Sequence, residues 1–176
     1  VSISLIWLWM MEPNFGLFNY LLRKMGLPTS AWLSGSSTAM PSVILVSVWK
    51  SVGYDTLIFL AALQGVSASL YEAARMDSAN KVAVFFKITL PMISPQLFFT
   101  LIIRTISSFK VFDTVRILTQ GGPNNATTTL VYSIYTEALL NLRIGYSAAI
   151  GVILLIIISI LTIIYFWGFS RKVHYQ

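Results

Sequence analysis

The 176 residues include no cysteine, which excludes disulfides, thiolate metal centres and cysteine nucleophiles. Histidine occurs once, at His174 in the polar tail, so most zinc sites and histidine-based catalytic pairs are excluded as well. No glycine-rich loop ends in Gly-Lys-Ser or Gly-Lys-Thr, and no His-Glu-x-x-His occurs, so neither a P-loop nor a zincin motif is present. Charge is scarce too: 10% of residues carry one, against about a quarter in soluble domains. The net charge of +6 has no basic cluster interleaved with aromatics on a polar face, which argues against nucleic acid as a partner. No catalytic residue, metal or cofactor is expected.

What fills the chain is apolar. Hydrophobic residues make up 56% of it, and the mean hydropathy is +0.77. A core in water cannot absorb that much apolar surface, so lipid is the expected solvent. Three long runs stand out: Thr38 to Gln64, Met92 to Leu118, and Gly145 to Ser170. The last has no charged residue; the other two carry Lys50 and Asp55, and Arg104, Lys110, Asp113 and Arg116. A fourth run ends at Met11 and is too short to span, since crossing a bilayer takes about 20 residues. The expectation is an all-α integral membrane protein with about three full spans plus the end of another, a C-terminal portion of a longer domain. Trp7, Trp9, Tyr165 and Trp167 are expected in interfacial belts.

Three connections separate these runs. Glu12 to Ser37 carries Pro13, Gly16, Pro28 and Gly35, and Thr119 to Arg143 opens with the turn signal Gln120-Gly121-Gly122-Pro123-Asn124-Asn125. Between them, 65–91 is a charged island with Arg75, Lys81 and Lys87. With Arg171 and Lys172 of the tail, it outweighs Arg23, Lys24 and Arg143, which puts island and tail in the cytoplasm. Within the island, Ser67 or Ser69 can cap a helix, with Glu72 placed for a capping box with Ser69. Glu72 and Arg75 are a turn apart and can pair. A second helical run, Ala79 to Leu90, leads to Pro91. Taken alone, these residues suit an amphipathic loop lying on the bilayer as well as a segment gripped by a partner.

Glu72-Ala73-Ala74, then Ser78 at a glycine position, then Ile88-x-Leu90-Pro91 resembles the EAA loop of binding-protein-dependent ABC importer permeases. Trp49 to Tyr54, Leu60 to Gln64, Phe109 to Asp113, Leu118 to Pro123 and Gly145 to Ala149 resemble the carbohydrate branch of that family, in particular the first permease subunit of maltose-type and glycerol-3-phosphate-type systems. The resemblance covers essentially the whole chain. It implies a type I importer transmembrane domain over 1–176 that lacks its N-terminal spans, with 65–91 as the cytoplasmic coupling loop. Glu72, Ala73, Ala74, Asp77, Ser78 and Ala79 would then form the helix that sits in a groove of a cytoplasmic ATPase. Ser78 leaves two options open: a positive φ at a cost of about 1 kcal/mol, or an ordinary helical conformation.

Ionisable groups inside spans are expensive and invite a functional reading. Lys50, Gly53 and Tyr54 form one helical stripe, and Arg104, Ser107, Ser108 and Val111 form another; both are expected to line the substrate pathway. The sugar site of maltose-type permeases falls near these segments. Lys50 is also suited to pairing with a neighbouring subunit, and Lys110, Asp113 and Arg116 to a structural ion pair. The resemblance further implies residence in a bacterial-type cytoplasmic membrane, a second permease subunit, two ATPase subunits that hydrolyse ATP, and an extracytoplasmic binding protein docking on Glu12–Ser37 and Gln120–Asn125. Neutral sugars, glycerol-3-phosphate and acidic sugars all remain open as cargo. A channel or secondary transporter is the reading from another class.

Overall fold

The computed structural model describes residues 1–169, and Arg171, Lys172 and His174 lie outside them. The described chain is helical, with no strand: α1 (Ser2–Met10), α2 (Leu17–Lys24), α3 (Ala39–Gln64), α4 (Ala68–Met76), α5 (Lys81–Val84), α6 (Leu90–Met92), α7 (Ser94–Phe109), α8 (Asp113–Leu118), α9 (Leu130–Tyr135) and α10 (Ile144–Phe169). Two π-helical turns, Phe85–Thr89 and Thr136–Leu140, link α5 to α6 and follow α9.

α3 and α10 each have 26 residues. At 1.5 Å per residue each reaches about 39 Å, more than the ~30 Å hydrocarbon core requires. A third apolar passage is bent: Lys81–Met92 and Ser94–Phe109 meet at 67°. Pro91 is the second residue of α6, which continues directly from the π turn, so the helical run is one N–H donor short at this point.

The expected run from Met92 to Leu118 is shorter than the sequence suggests. α7 ends at Phe109, and a new helix, α8, starts at Asp113. The charges at its end account for this: Asp113 sits in the first turn of α8 and Arg116 in the last, each at the helix end that favours its sign. The expected ion pairs among Lys110, Asp113 and Arg116 do not form; the ion pairs found among the described residues are Arg104–Asp55 and Arg143–Glu137. Arg116 instead lies 4.5 Å over the Tyr135 ring and 5.9 Å over that of Phe112, a cation–π arrangement.

The chain divides into two compact units, residues 1–51 with 107–157, and residues 52–106 with the chain from Ile158. The division falls inside α3, α7 and α10. The first unit has a core of Trp7, Met11, Leu33, Val43, Val46, Val115 and Leu118. Trp7 is therefore a core residue rather than a belt residue, its ring edge-on to Phe18 and to Trp49 at 5.5 Å each. The long connection before α3 is held by Asn19, which is 1% exposed. Its amide donates to the carbonyls of Pro13 and Ser30, both at 2.8 Å, and its Oδ1 accepts from Ser30 N–H and Trp32 Nε1. One buried side chain of α2 thus satisfies backbone groups of Pro13 and Ser30, on either side of that helix. On the other connection, Asn124 Nδ2 donates to Ser36 Oγ at 3.3 Å, tying the Gln120–Asn125 turn to the segment before α3.

The second unit buries Ala74, Thr89, Ile93, Phe98, Thr100 and Ile102. Phe98 meets the Phe166 ring edge-on at 5.5 Å, and the Thr105 and Tyr165 hydroxyls lie 3.1 Å apart. Tyr165, expected in a belt, is thereby tied to α7, whereas Trp167 stands 80% exposed.

Candidate functional site

The charged island folds into a short helix with a fixed end. Ser67 is the N-cap of α4 and makes no capping hydrogen bond through its side chain; its Oγ lies 2.8 Å from Ser69 Oγ. The Ser69–Glu72 capping box therefore does not form, because the helix starts two residues before that register requires. Nor does Glu72 pair with Arg75 among the described residues.

These two side chains stay outward. Glu72, Ala73, Asp77, Ser78 and Ala79 are exposed, and Met76 is 86% exposed. Ala74 is buried, and the Tyr71 hydroxyl lies 3.2 Å from Thr89 Oγ1 in the π turn. Tyr71 and Ala74, one turn apart, thus form the inner face of α4, and Glu72, Ala73 and Met76 the outer one.

The helix end explains Ser78. Ala79 N–H donates to Ala74 O at 3.0 Å and Ser78 N–H to Arg75 O at 3.0 Å, while Ser78 has φ +54. This is a Schellman motif, whose left-handed residue is most often glycine. The same closure recurs after α2, where Leu27 N–H bonds to Leu22 O and Gly26 N–H to Arg23 O, with Gly26 at φ +71. Of the two options open at Ser78, the positive φ holds. Ser78→Gly is therefore expected to stabilise this turn by about 1 kcal/mol, read as slower proteolysis or hydrogen exchange across Ala74–Asn80.

Asn80 then restarts the chain, its Oδ1 accepting from Val82 N–H at 3.1 Å. Val82, Phe85 and Phe86 stand exposed beyond it. Pi turns of the kind found at Phe85–Thr89 occur frequently at functional sites.

The expected pathway residues fall into both units. In the first, Lys50 Nζ donates to Thr114 Oγ1 at 3.4 Å, and Ser107 and Ser108 are exposed near the end of α7. Val111 packs on the core, and its carbonyl accepts from Thr129 Oγ1 at 3.0 Å. In the second, Gly53 is exposed, and a Cβ built there meets no atom within 4 Å. Tyr54 is 65% exposed, with the Arg104 guanidinium 5.6 Å from its ring centroid.

Arg104 also has a partner that the motif reading omitted. Its Nε and Nη2 donate to one oxygen, Asp55 Oδ1, at 2.8 and 2.5 Å. The signal was present: Asp55 is the single acid in an apolar run, and an unpaired carboxylate there is costly enough to demand a cation. The structure thus gathers Tyr54, Asp55 and Arg104 into one polar cluster between α3 and α7.

Long apolar helices joined through an exposed, tightly closed helix define a multi-pass α-helical membrane protein. The chain belongs to the family of binding-protein-dependent transport system inner membrane components, whose family model matches residues 1–174. It is 43% identical over 178 residues to the sn-glycerol-3-phosphate transport system permease protein UgpA of Yersinia pestis, an alignment covering 98% of this chain and 59% of that protein. The protein of the same description from Brucella suis is 39% identical over 174 residues, again 98% of this chain and 59% of that one. The chain thus spans 59% of the length of these curated relatives.

Among solved structures, the fold matches a bacterial ABC transporter involved in the import of the acidic polysaccharide alginate, with TM-score 0.86 and 25% identity over 99% of this chain and 61% of that one. It also matches the bacterial alginate ABC transporter in complex with an alginate pentasaccharide-bound periplasmic protein, with TM-score 0.84 and 25% identity over 93% and 57% of the two chains. The fold is that of type I ABC importer permeases, and the chain is an inner-membrane protein.

Proposed function

We propose that this chain is a membrane-spanning subunit of an ATP-driven importer for the sugar and polyol class, with α4 as the element that receives the motion of a cytoplasmic ATPase. The observation that carries this reading is α4 itself. Glu72, Ala73 and Met76 point away from the chain on a helix closed at its end by a Schellman turn. A partner gripping that outer face moves the whole helix rather than fraying it, and Tyr71 and the buried Ala74 pass the displacement toward the π turn that leads into α6 and α7. ATP hydrolysis belongs to two partner ATPase subunits, and a second permease subunit completes the pathway. A binding protein loads cargo from outside, on the surface where Asn124 meets Ser36.

A second reading of the cargo, glycerol-3-phosphate or an acidic sugar, draws on what the relatives carry by name. The function is tested by uptake into proteoliposomes that hold the complete transporter, with ATP enclosed. Import that requires both ATP and the ATPase subunits is the expected result. Uptake that persists without the ATPase would mark a channel or secondary transporter instead.

A further inference from the structure

We infer that the cluster of Tyr54, Asp55 and Arg104 selects an uncharged, polyhydroxylated cargo, with Asp55 as the residue that excludes anions; this rests on the importer reading above. Arg104 spends two donors, Nε and Nη2, on a single carboxylate oxygen, Asp55 Oδ1. Asp55 Oδ2 and Arg104 Nη1 are left without a hydrogen-bond partner among the described residues, and neither is among the buried orphaned atoms. The side chains stay 21% and 34% exposed, so these atoms are within reach of a ligand. An acceptor and a donor side by side match two adjacent hydroxyl groups, one donating to Oδ2 and the other accepting from Nη1.

The aromatic ring completes the match. Tyr54 is 65% exposed, and its ring centroid lies 5.6 Å from the Arg104 guanidinium carbon. Its face offers apolar area to the C–H groups of a sugar while its hydroxyl stays available for a hydrogen bond.

Charge balance decides against an anion. An isolated arginine in a span would attract a phosphate or carboxylate through a bidentate contact. Here the charge is already balanced by Asp55, and an arriving anion meets that carboxylate, with like charges opposed. Lys50, one turn earlier on α3, directs its ammonium to Thr114 Oγ1. The names of the relatives point to anionic cargo; the pairing of Asp55 with Arg104 points this chain elsewhere.

The test presents the complete transporter, with its binding protein and enclosed ATP, with an equimolar mixture of neutral and anionic probes. Maltose, sucrose, trehalose, raffinose and sorbitol compete with sn-glycerol 3-phosphate, glucose 6-phosphate and galacturonate, and the vesicle contents are read by mass spectrometry. ATP-dependent accumulation of a neutral probe, with every anion at least about tenfold lower, is the expected result. Accumulation of an anion at or above the neutral probes overturns the inference and leaves the importer reading standing. Accumulation of nothing overturns the importer reading and this inference with it.

Two variants probe the cluster directly. Asp55→Asn removes the acid, and Tyr54→Leu removes the ring, with its contact to Arg104, while keeping both members of the charge pair in place, so failure of the first to assemble does not end the test. Each is expected to lower neutral uptake at least about tenfold in vesicles of matched transporter content. Undiminished uptake in Tyr54→Leu would overturn the assignment of the cluster to the cargo.

Discussion

Replacing Glu72 with arginine is expected to lower ATP-driven uptake by about 100-fold while the permease remains in the membrane at its normal level. Glu72 is exposed and takes part in no ion pair within the described chain, so the change removes no internal contact. Arginine is as good a helix former as glutamate, and the closing bonds from Ser78 and Ala79 are made by backbone groups. The fold of α4 is therefore preserved and only its outer face changes. Opposing like charges across a protein interface costs several kcal/mol, and about 2.7 kcal/mol is enough for a hundredfold loss. Uptake and ATP hydrolysis measured on the same vesicles separate the outcomes. Loss of uptake with hydrolysis no longer stimulated by loaded binding protein is the expected pattern. Normal uptake would show that the outer face of α4 grips nothing.

The second large effect lies inside the bilayer. Asp55→Leu leaves Arg104 with its charge unbalanced in an apolar passage, and a charged side chain at such depth costs about 2.5–3.5 kcal/mol. The pair is partly exposed, 21% and 34% for the two side chains, so a destabilisation of about 2 kcal/mol is expected, read as a lower unfolding midpoint of the permease in lipid nanodiscs. The double replacement Asp55→Leu/Arg104→Leu is expected to recover most of that loss, because no lone charge remains. The coupling between the two positions, from all four proteins, should then be about 2 kcal/mol. Additive losses would mean that the two side chains do not rely on one another.

Much of this was legible in the sequence, for physical reasons. The uninterrupted apolar composition from Gly145 onward leaves no choice but a long lipid-facing helix, and α10 runs from Ile144 to Phe169. The island was legible as a helix because Glu72 to Arg75 are strong helix formers between small capping residues. Its end was not: whether Ser78 turns left-handed depends on bonds from Ser78 to Arg75 and from Ala79 to Ala74, which no propensity encodes. Near α7, the spacing of Lys110, Asp113 and Arg116 suggested ion pairs, but the helix breaks between Lys110 and Asp113, and Asp113 and Arg116, though a turn apart in α8, do not pair. Arg116 turns to Tyr135 instead, a partner distant in sequence.

The polar cluster was half legible. Tyr54 and Arg104 follow from helical stripes, but the stripe containing Tyr54 passes over Asp55, which sits one position around the helix. Its pairing with Arg104 spans 49 residues and emerges only once α3 and α7 pack. Val111 shows the reverse case. It shares a stripe with Arg104 and Ser108, yet the chain leaves α7 before reaching it, and it packs on the core of Trp7 and Val115.

The most direct measurement of the central claim is site-specific cross-linking from α4. The sequence has no cysteine, so Ala73→Cys places a single thiol of this sequence on the exposed face beside buried Ala74. In membranes containing the assembled transporter, that thiol is predicted to form a short-range adduct with an ATPase subunit, and the adduct yield is predicted to change when ATP is added. An adduct confined to lipid or to the binding protein, with none to the ATPase in any nucleotide state, would contradict the account.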